Sequence, residues 1–300
     1  MESIFVFSGE APGIARAEAE TLFNAKGELY RNILVAGIRD VRGGLAYTKS
    51  ISRLLFRTTK QNLKRDLGAF DWMSIIKTSF ALRSSGSEPE LAGFIWRKLV
   101  NPIVDLNNPE TLVEIIQGKS LLVAKRLWTN TEKFSNRKAH NRPRPHPSSL
   151  DPRLARAMVN LTGAAGSDTV CDPFCGTGGI LIESSLMGFK TYGYDLSDEM
   201  LERCRENLIS YKVNLAKSDA LKLRKQFDCI VSDLPYGKST IRGSNLYRDF
   251  LKILPGLFRR RAVIAFPCAI GRFAYGLRIE HKFSYYIHSS LTKHIYVFCQ

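Results

Sequence analysis

The chain has 300 residues, 44% hydrophobic and 24% charged, a balance that allows a sizeable core and excludes a disordered or fibrous protein. Lys and Arg outnumber Asp and Glu 44 to 28, giving a formal net charge of +16. Such an excess points to a polyanionic partner, because each basic side chain on a phosphate releases condensed counterions. Both halves share it, with 23 basic and 14 acidic residues over 1–150 and 21 and 14 over 151–300. No apolar run approaches the thickness of a bilayer, and the acid at Glu2 argues against a secretory leader. Six scattered cysteines (171, 175, 204, 229, 268 and 299) never form a C-x-x-C pair, which suits reduced thiols in a cytoplasmic protein.

In chain order, IFVFSG reads as a strand, AEAETLFNA as a helix and LAYTKSISRLLFRTT as extended chain. FDWMSIIKTSFALR, a helix around PELAGFIWRKLV, and PETLVEIIQGKSLLVAKRLW follow, so the first half forms one or two α+β modules. Residues 129–152 hold four prolines, many basic residues and little periodicity; they are expected to form an exposed, stiff linker, with a boundary near Asn141. Beyond it, Ser148 or Ser149 is expected to cap a helix carrying Leu154, Ala155, Met158 and Leu161 on one face. A strand at 169–172, a helix at 179–187 and a strand at 190–195 come next. Ser197 then caps a helix with Asp198 and Glu199 in its first turn. Strands follow at 212–216, 227–232, 262–267, 283–287 and 294–299, and Arg259-Arg260-Arg261 is expected at a solvated helix end. This alternation predicts an α/β fold with a Rossmann-like, doubly wound sheet, and its last two strands, with no helix between them, predict an antiparallel edge.

The chemistry concentrates at the strand ends. Asp172-Pro173-Phe174-Cys175-Gly176-Thr177-Gly178 joins the first strand to its helix, where glycines let backbone approach a ligand closely. The spacing is not the G-x-G-x-x-G of dinucleotide binders. Asp172 would repel a pyrophosphate and attract a sulfonium and an amino group, so the turn favours S-adenosylmethionine. Asp195, followed by Leu196, ends the second strand where a carboxylate accepts ribose hydroxyls. Asp219 and Ala220 follow the third strand, where an adenine amino group is read.

The fourth strand runs into Asp233-Leu234-Pro235-Tyr236-Gly237. An exocyclic base amine is a poor nucleophile because its lone pair is delocalised into the ring. An acid and a backbone carbonyl that accept its two N–H groups turn it towards a tetrahedral nitrogen. The proline orients that carbonyl, the aromatic ring stacks on the extruded base, and Asp233 accepts the proton the nitrogen loses. Five histidines (140, 146, 281, 288, 294) show no metal spacing, so no metal site is expected, and neither G-x-S-x-G nor a phosphate-binding loop occurs.

With these residues in place the chain resembles the archaeal and eukaryotic tRNA guanine-10 N2-methyltransferases. The resemblance lies in HPSSLDPRLARAMVNLTG (146–163), CDPFCGTGGILIE (171–183), YDLS (194–197) and DLPYG (233–237). It implies that Pro147, Ser148, Ser149 and Leu150 flank the methionine end of the cofactor. NPIVDLNNPE (101–110) is similar to the central signature of THUMP domains, RNA-binding modules preceded by a ferredoxin-like piece. The implied layout is a ferredoxin-like domain over 1–60, THUMP over 61–130, a linker over 131–150 and the methyltransferase over 151–300. The resemblance also implies tRNA as substrate and a small zinc-binding activator docking on an edge strand near 212–216. The residues alone leave open an adenine N6 or rRNA guanine substrate, or an RNA chaperone that keeps a cofactor pocket.

Overall fold

In the computed structural model, which describes residues 1–236, 245–270 and 276–300, fifteen strands form two hydrogen-bonded sheets. The chain divides into two compact units. One is Met1–Pro12, Phe23–Gly43 and Thr48–Thr131; the other is Gly13–Leu22, Gly44–Tyr47 and Glu132–Gln300.

In the first unit, β1 (Glu2–Phe7), β2 (Gly27–Tyr30), β3 (Ile33–Gly37) and β4 (Thr48–Thr58) continue into β5 (Ser79–Arg83), β6 (Ile103–Val104), β7 (Thr111–Gln117) and β8 (Leu121–Thr129). The strand order is β2-β3-β1-β4-β8-β7-β5-β6, and the antiparallel β4–β8 pairing makes one sheet of both halves of this unit. Helix α1 (Pro12–Phe23) precedes β2; α2 (Leu63–Ala69) and α3 (Glu88–Trp96) flank β5 in sequence. The apolar alternation of the β7–β8 hairpin is used in full: Val113, Ile115, Leu121 and Val123 pack with Trp72, Phe80 and Leu82. Buried Trp72 satisfies its indole by donating to the Leu67 carbonyl at 2.7 Å.

The second unit contains α4 (Pro152–Leu161), β9 (Thr169–Asp172), α5 (Gly179–Leu186), β10 (Lys190–Asp195), α6 (Asp198–Asn207), β11 (Val213–Lys217) and β12 (Phe227–Asp233). It then runs through α7 (Leu246–Ile253), β13 (Phe258–Phe266), β14 (Arg278–His288) and β15 (Leu291–Cys299). Its sheet order is β11-β10-β9-β12-β13-β15-β14. The first five strands are parallel, and β15 runs antiparallel to both β13 and β14. The expected antiparallel edge is thus present, and β11 lies at the opposite edge. One core cluster gathers Phe227, Ile230, Phe250, Phe258, Ile264 and Phe298 from β12, α7, β13 and β15.

Three local expectations are corrected. Asp151, not Ser148 or Ser149, caps α4: its carboxylate accepts from Arg153 N at 2.9 Å and Leu154 N at 3.4 Å, with Pro152 in the first helical turn. Arg259-Arg260-Arg261 lies in β13, not at a helix end; the three side chains pair with Asp228, Asp168 and Glu280. The proline-rich segment is not freely exposed. Phe134 and Arg142 are buried in it, and Arg137 donates to Glu183, which also takes Arg156 at 2.9 Å.

The same unit uses residues from early in the chain. Buried Glu18 of α1 accepts from Ala46 N, Tyr47 N and the Asn160 amide at 2.9, 3.0 and 2.7 Å.

Candidate active site

A cleft of about 950 Å³ opens at the carboxyl ends of β9, β10 and β12, where the strand order reverses between β9 and β12. Its wall begins with the turn after β9. Gly176 (φ 49°) and Gly178 (φ 90°) take left-handed backbone that side chains strain to adopt, and Gly178 N donates to the Cys175 carbonyl at 2.8 Å. A Cβ on Gly178 would sit 2.9 Å from Cys204 Sγ, so this glycine also lets α6 pack close. Gly178 is the one cofactor candidate that does not line the cleft. Pro147, Ser148, Ser149 and Leu150 line it beside Asp172, Pro173, Phe174, Cys175, Gly176 and Thr177; Asp195, Leu196, Asp219, Ala220 and Asp233-Leu234-Pro235-Tyr236 complete that wall. Gly237, the last residue of the motif, lies outside the described residues.

Hydrogen bonds fix these groups. Asp195 accepts from Gly176 N through one oxygen and from Ser197 N through the other, both at 2.9 Å, so one carboxylate ties the glycine turn to the start of α6. Asp219 accepts from Leu221 N at 3.0 Å. Ser149 Oγ and Thr177 Oγ1 are 2.9 Å apart, joining the 147–150 segment to the turn. Tyr247 donates to the Pro235 carbonyl at 2.7 Å and steadies the strap after β12.

The electrostatics are lopsided. Asp172 is 2% exposed and accepts from Ser232 Oγ at 2.6 Å and Phe174 N at 3.0 Å. Burial nevertheless pushes its carboxyl up to about 7, with Asp233 and Asp195 pushing the same way. Burial also raises Asp233, against the pull of Lys293, whose ammonium bonds both its oxygens, at 2.6 Å on one of them. Lys293 Nζ lies 5.0 Å from the Tyr236 ring centroid. A cleft with three crowded carboxylates suits a ligand carrying positive charge, as a sulfonium with an amino group does, and disfavours a pyrophosphate.

The family described as UPF0020, RMKL-like, methyltransferase domain matches residues 139–272. A tRNA (guanine(10)-N2)-dimethyltransferase from Methanothermobacter thermautotrophicus is 32% identical over 282 residues, covering 84% of each chain. The enzyme of that description from Pyrococcus abyssi is 34% identical over 253 residues, covering 76% of each. The chain belongs to the tRNA (guanine(10)-N2)-dimethyltransferase family. Solved structures support the fold that membership in the tRNA (guanine(10)-N2)-dimethyltransferase family implies. TrmN from Thermus thermophilus superposes with a TM-score of 0.54 at 20% identity over the whole of both chains. A methyltransferase-type structure solved with SAH gives 0.50 at 16% identity over 99% of this chain and 98% of its own.

Several residues of this family member's cleft escaped sequence reasoning. His146, Ser197, Met200, Ser218, Leu246 and His288 also line it. Lys293 carried one signal: on β15 it shares the buried face with Leu291, Ile295 and Val297, where a lysine is out of place unless it has a partner. Among the described residues no group of three or more His, Cys, Asp or Glu could hold a metal ion.

Proposed function

We propose that the protein transfers a methyl group from S-adenosylmethionine to the exocyclic N2 of a guanine in tRNA, guanine 10 by its family. The observation that carries this is the opening of Asp233-Leu234-Pro235-Tyr236 onto the same cleft as the glycine turn and Asp195. The cofactor supplies an electrophilic methyl group on a sulfonium. Asp195 and Asp219 bind its adenosine, Ser149 and its neighbours flank its methionine end, and Asp172 faces its positive charge. Asp233 and the Leu234 carbonyl accept the two N–H groups of the base amine, Tyr236 stacks on the flipped base, and Asp233 takes the proton released on transfer. The relatives' printed names and the SAH-bound neighbour support the choice of substrate and cofactor.

Residues 61–130 are proposed to be a THUMP module and 1–60 a ferredoxin-like one, with 131–150 joining them to the methyltransferase at 151–300. Their basic side chains would grip tRNA in the cytoplasm. The edge position of β11 leaves a strand to which a small zinc-binding activator could add. No helix among the described residues is long and apolar enough to cross a membrane.

Incubation with bulk tRNA and cofactor labelled in its methyl group tests the reading. Wild type should label tRNA. Asp233→Ala should lose about a hundredfold or more of that rate while binding tRNA as tightly. A variant as active as wild type would remove Asp233 from the chemistry.

A further inference from the structure

Lys293 is the only buried lysine among the described residues, 4% exposed, and both oxygens of Asp233 face its ammonium. Sheet register fixes the pair: Asp233 on β12 lies opposite Ala265 of β13, which lies opposite Ile295 of β15, and Lys293 is two residues along the same face. We propose that Lys293 is a positioning and specificity residue that holds Asp233 as an ionised, acceptor-only carboxylate, so that the cleft accepts guanine and rejects adenine. The inference deepens the functional reading above and rests on it.

The reasoning is hydrogen-bond arithmetic. A carboxylate offers about four lone-pair sites. Lys293 occupies one on each oxygen, leaving one on each for a base. Guanine presents N1–H and N2–H side by side, two donors for those two acceptors. Adenine presents N6–H beside the N1 lone pair, which an ionised carboxylate repels. A neutral carboxylic acid could instead donate to adenine N1 while accepting from N6–H. The protonation state of Asp233 therefore selects the base. Burial drives that state towards the neutral acid, and Lys293 opposes it. Asp172 faces Asp233 from β9 and favours the neutral form as well. Asp195, Asp219, His146, His288 and Tyr236 are the other titratable groups lining the cleft.

The test is the pH profile of kcat/KM for tRNA methylation by wild type, Lys293→Met and Lys293→Arg. Wild type should hold its rate through neutral pH. In Lys293→Met the acid limb should move up by at least about one pH unit, a tenfold or greater loss at pH 6.5 that closes by pH 8.5. Lys293→Arg should restore the profile, and cofactor affinity should stay within threefold. On tRNA with adenine at the target position, Lys293→Met at pH 6.5 should gain N6 methylation that wild type lacks. A loss equal at every pH, or a wild-type profile, would overturn the proposal. Lys293→Gln carries the same expectation if the methionine variant unfolds. A wild type inactive at every pH would sink the functional reading instead. The Asp233 carboxyl carbon shift, titrated by NMR in wild type and variant, would then still decide Lys293, an unmoved midpoint refuting it.

Discussion

Asp172 makes cofactor binding depend on pH in a calculable way. Its carboxyl is pushed to about 7 by burial and by Asp233 and Asp195, although Ser232 and Phe174 donate to it. A raised carboxyl means that the folded protein without ligand prefers Asp172 neutral. That preference stabilises the fold at low pH and is lost as pH rises towards 7. A cationic cofactor reverses the preference, because it binds best beside the ionised form. The ionised fraction is about three-quarters at pH 7.5 and about one-tenth at pH 6, so affinity should fall about eightfold between them, or about 1.2 kcal/mol. Calorimetric titration of S-adenosylmethionine at both values should show this, with close to one proton released on binding at pH 6. Asp172→Asn keeps an acceptor for Phe174 N and removes the charge, so its weaker affinity should be flat across the range. Equal affinity at pH 6 and 7.5 in wild type, with no proton release, would refute the reasoning. A slope that survived in Asp172→Asn would move its origin to His146 or His288, which line the same cleft.

Asp195→Ala should weaken cofactor binding at least about tenfold in the same assay, since charged hydrogen bonds of about 1.5–3 kcal/mol each are at stake and the Gly176 turn loses its tie. Glu183→Ala should cost about 3–5 kcal/mol in denaturant unfolding, because Glu183 is fully buried and its loss strands Arg137 and Arg156. A chain cut to residues 131–300 should melt well below the full protein, because it lacks Glu18, Ala46 and Tyr47, and with them the partner of the buried Asn160 amide. A truncated chain as stable as the whole would show that this network contributes nothing.

The second half of the fold was legible where local signals agreed. Strands β9 and β10 have the bounds expected of them, because apolar runs end there in an acid followed by turn residues. Ser197 caps α6 as expected, accepting from Met200 N at 3.3 Å. The α4 cap was misread because Ser148, Ser149 and Asp151 compete within four residues, and only tertiary packing sends Ser149 to Thr177 instead. The arginine run gave no sign of belonging to β13, since its neutralising acids lie as far away as Asp168 and Glu280. Likewise the 129–152 segment looks like a linker until Arg137 meets Glu183, 46 residues on. In the first half, the β4–β8 pairing joins residues some seventy positions apart, and no local period encodes such a register. The cleft was legible strand end by strand end, through Asp172, Asp195, Asp219 and Asp233. Lys293 was not, because it reaches Asp233 from the antiparallel β15, outside any motif.

The central claim is that this cleft methylates guanine N2 in tRNA, and the most direct measurement is mass spectrometry of nucleosides from tRNA treated with the protein and methyl-labelled S-adenosylmethionine. The account predicts label in N2-methylguanosine or N2,N2-dimethylguanosine, lost with Asp233→Ala. Label in N6-methyladenosine, or an equal signal from Asp233→Ala, would contradict it.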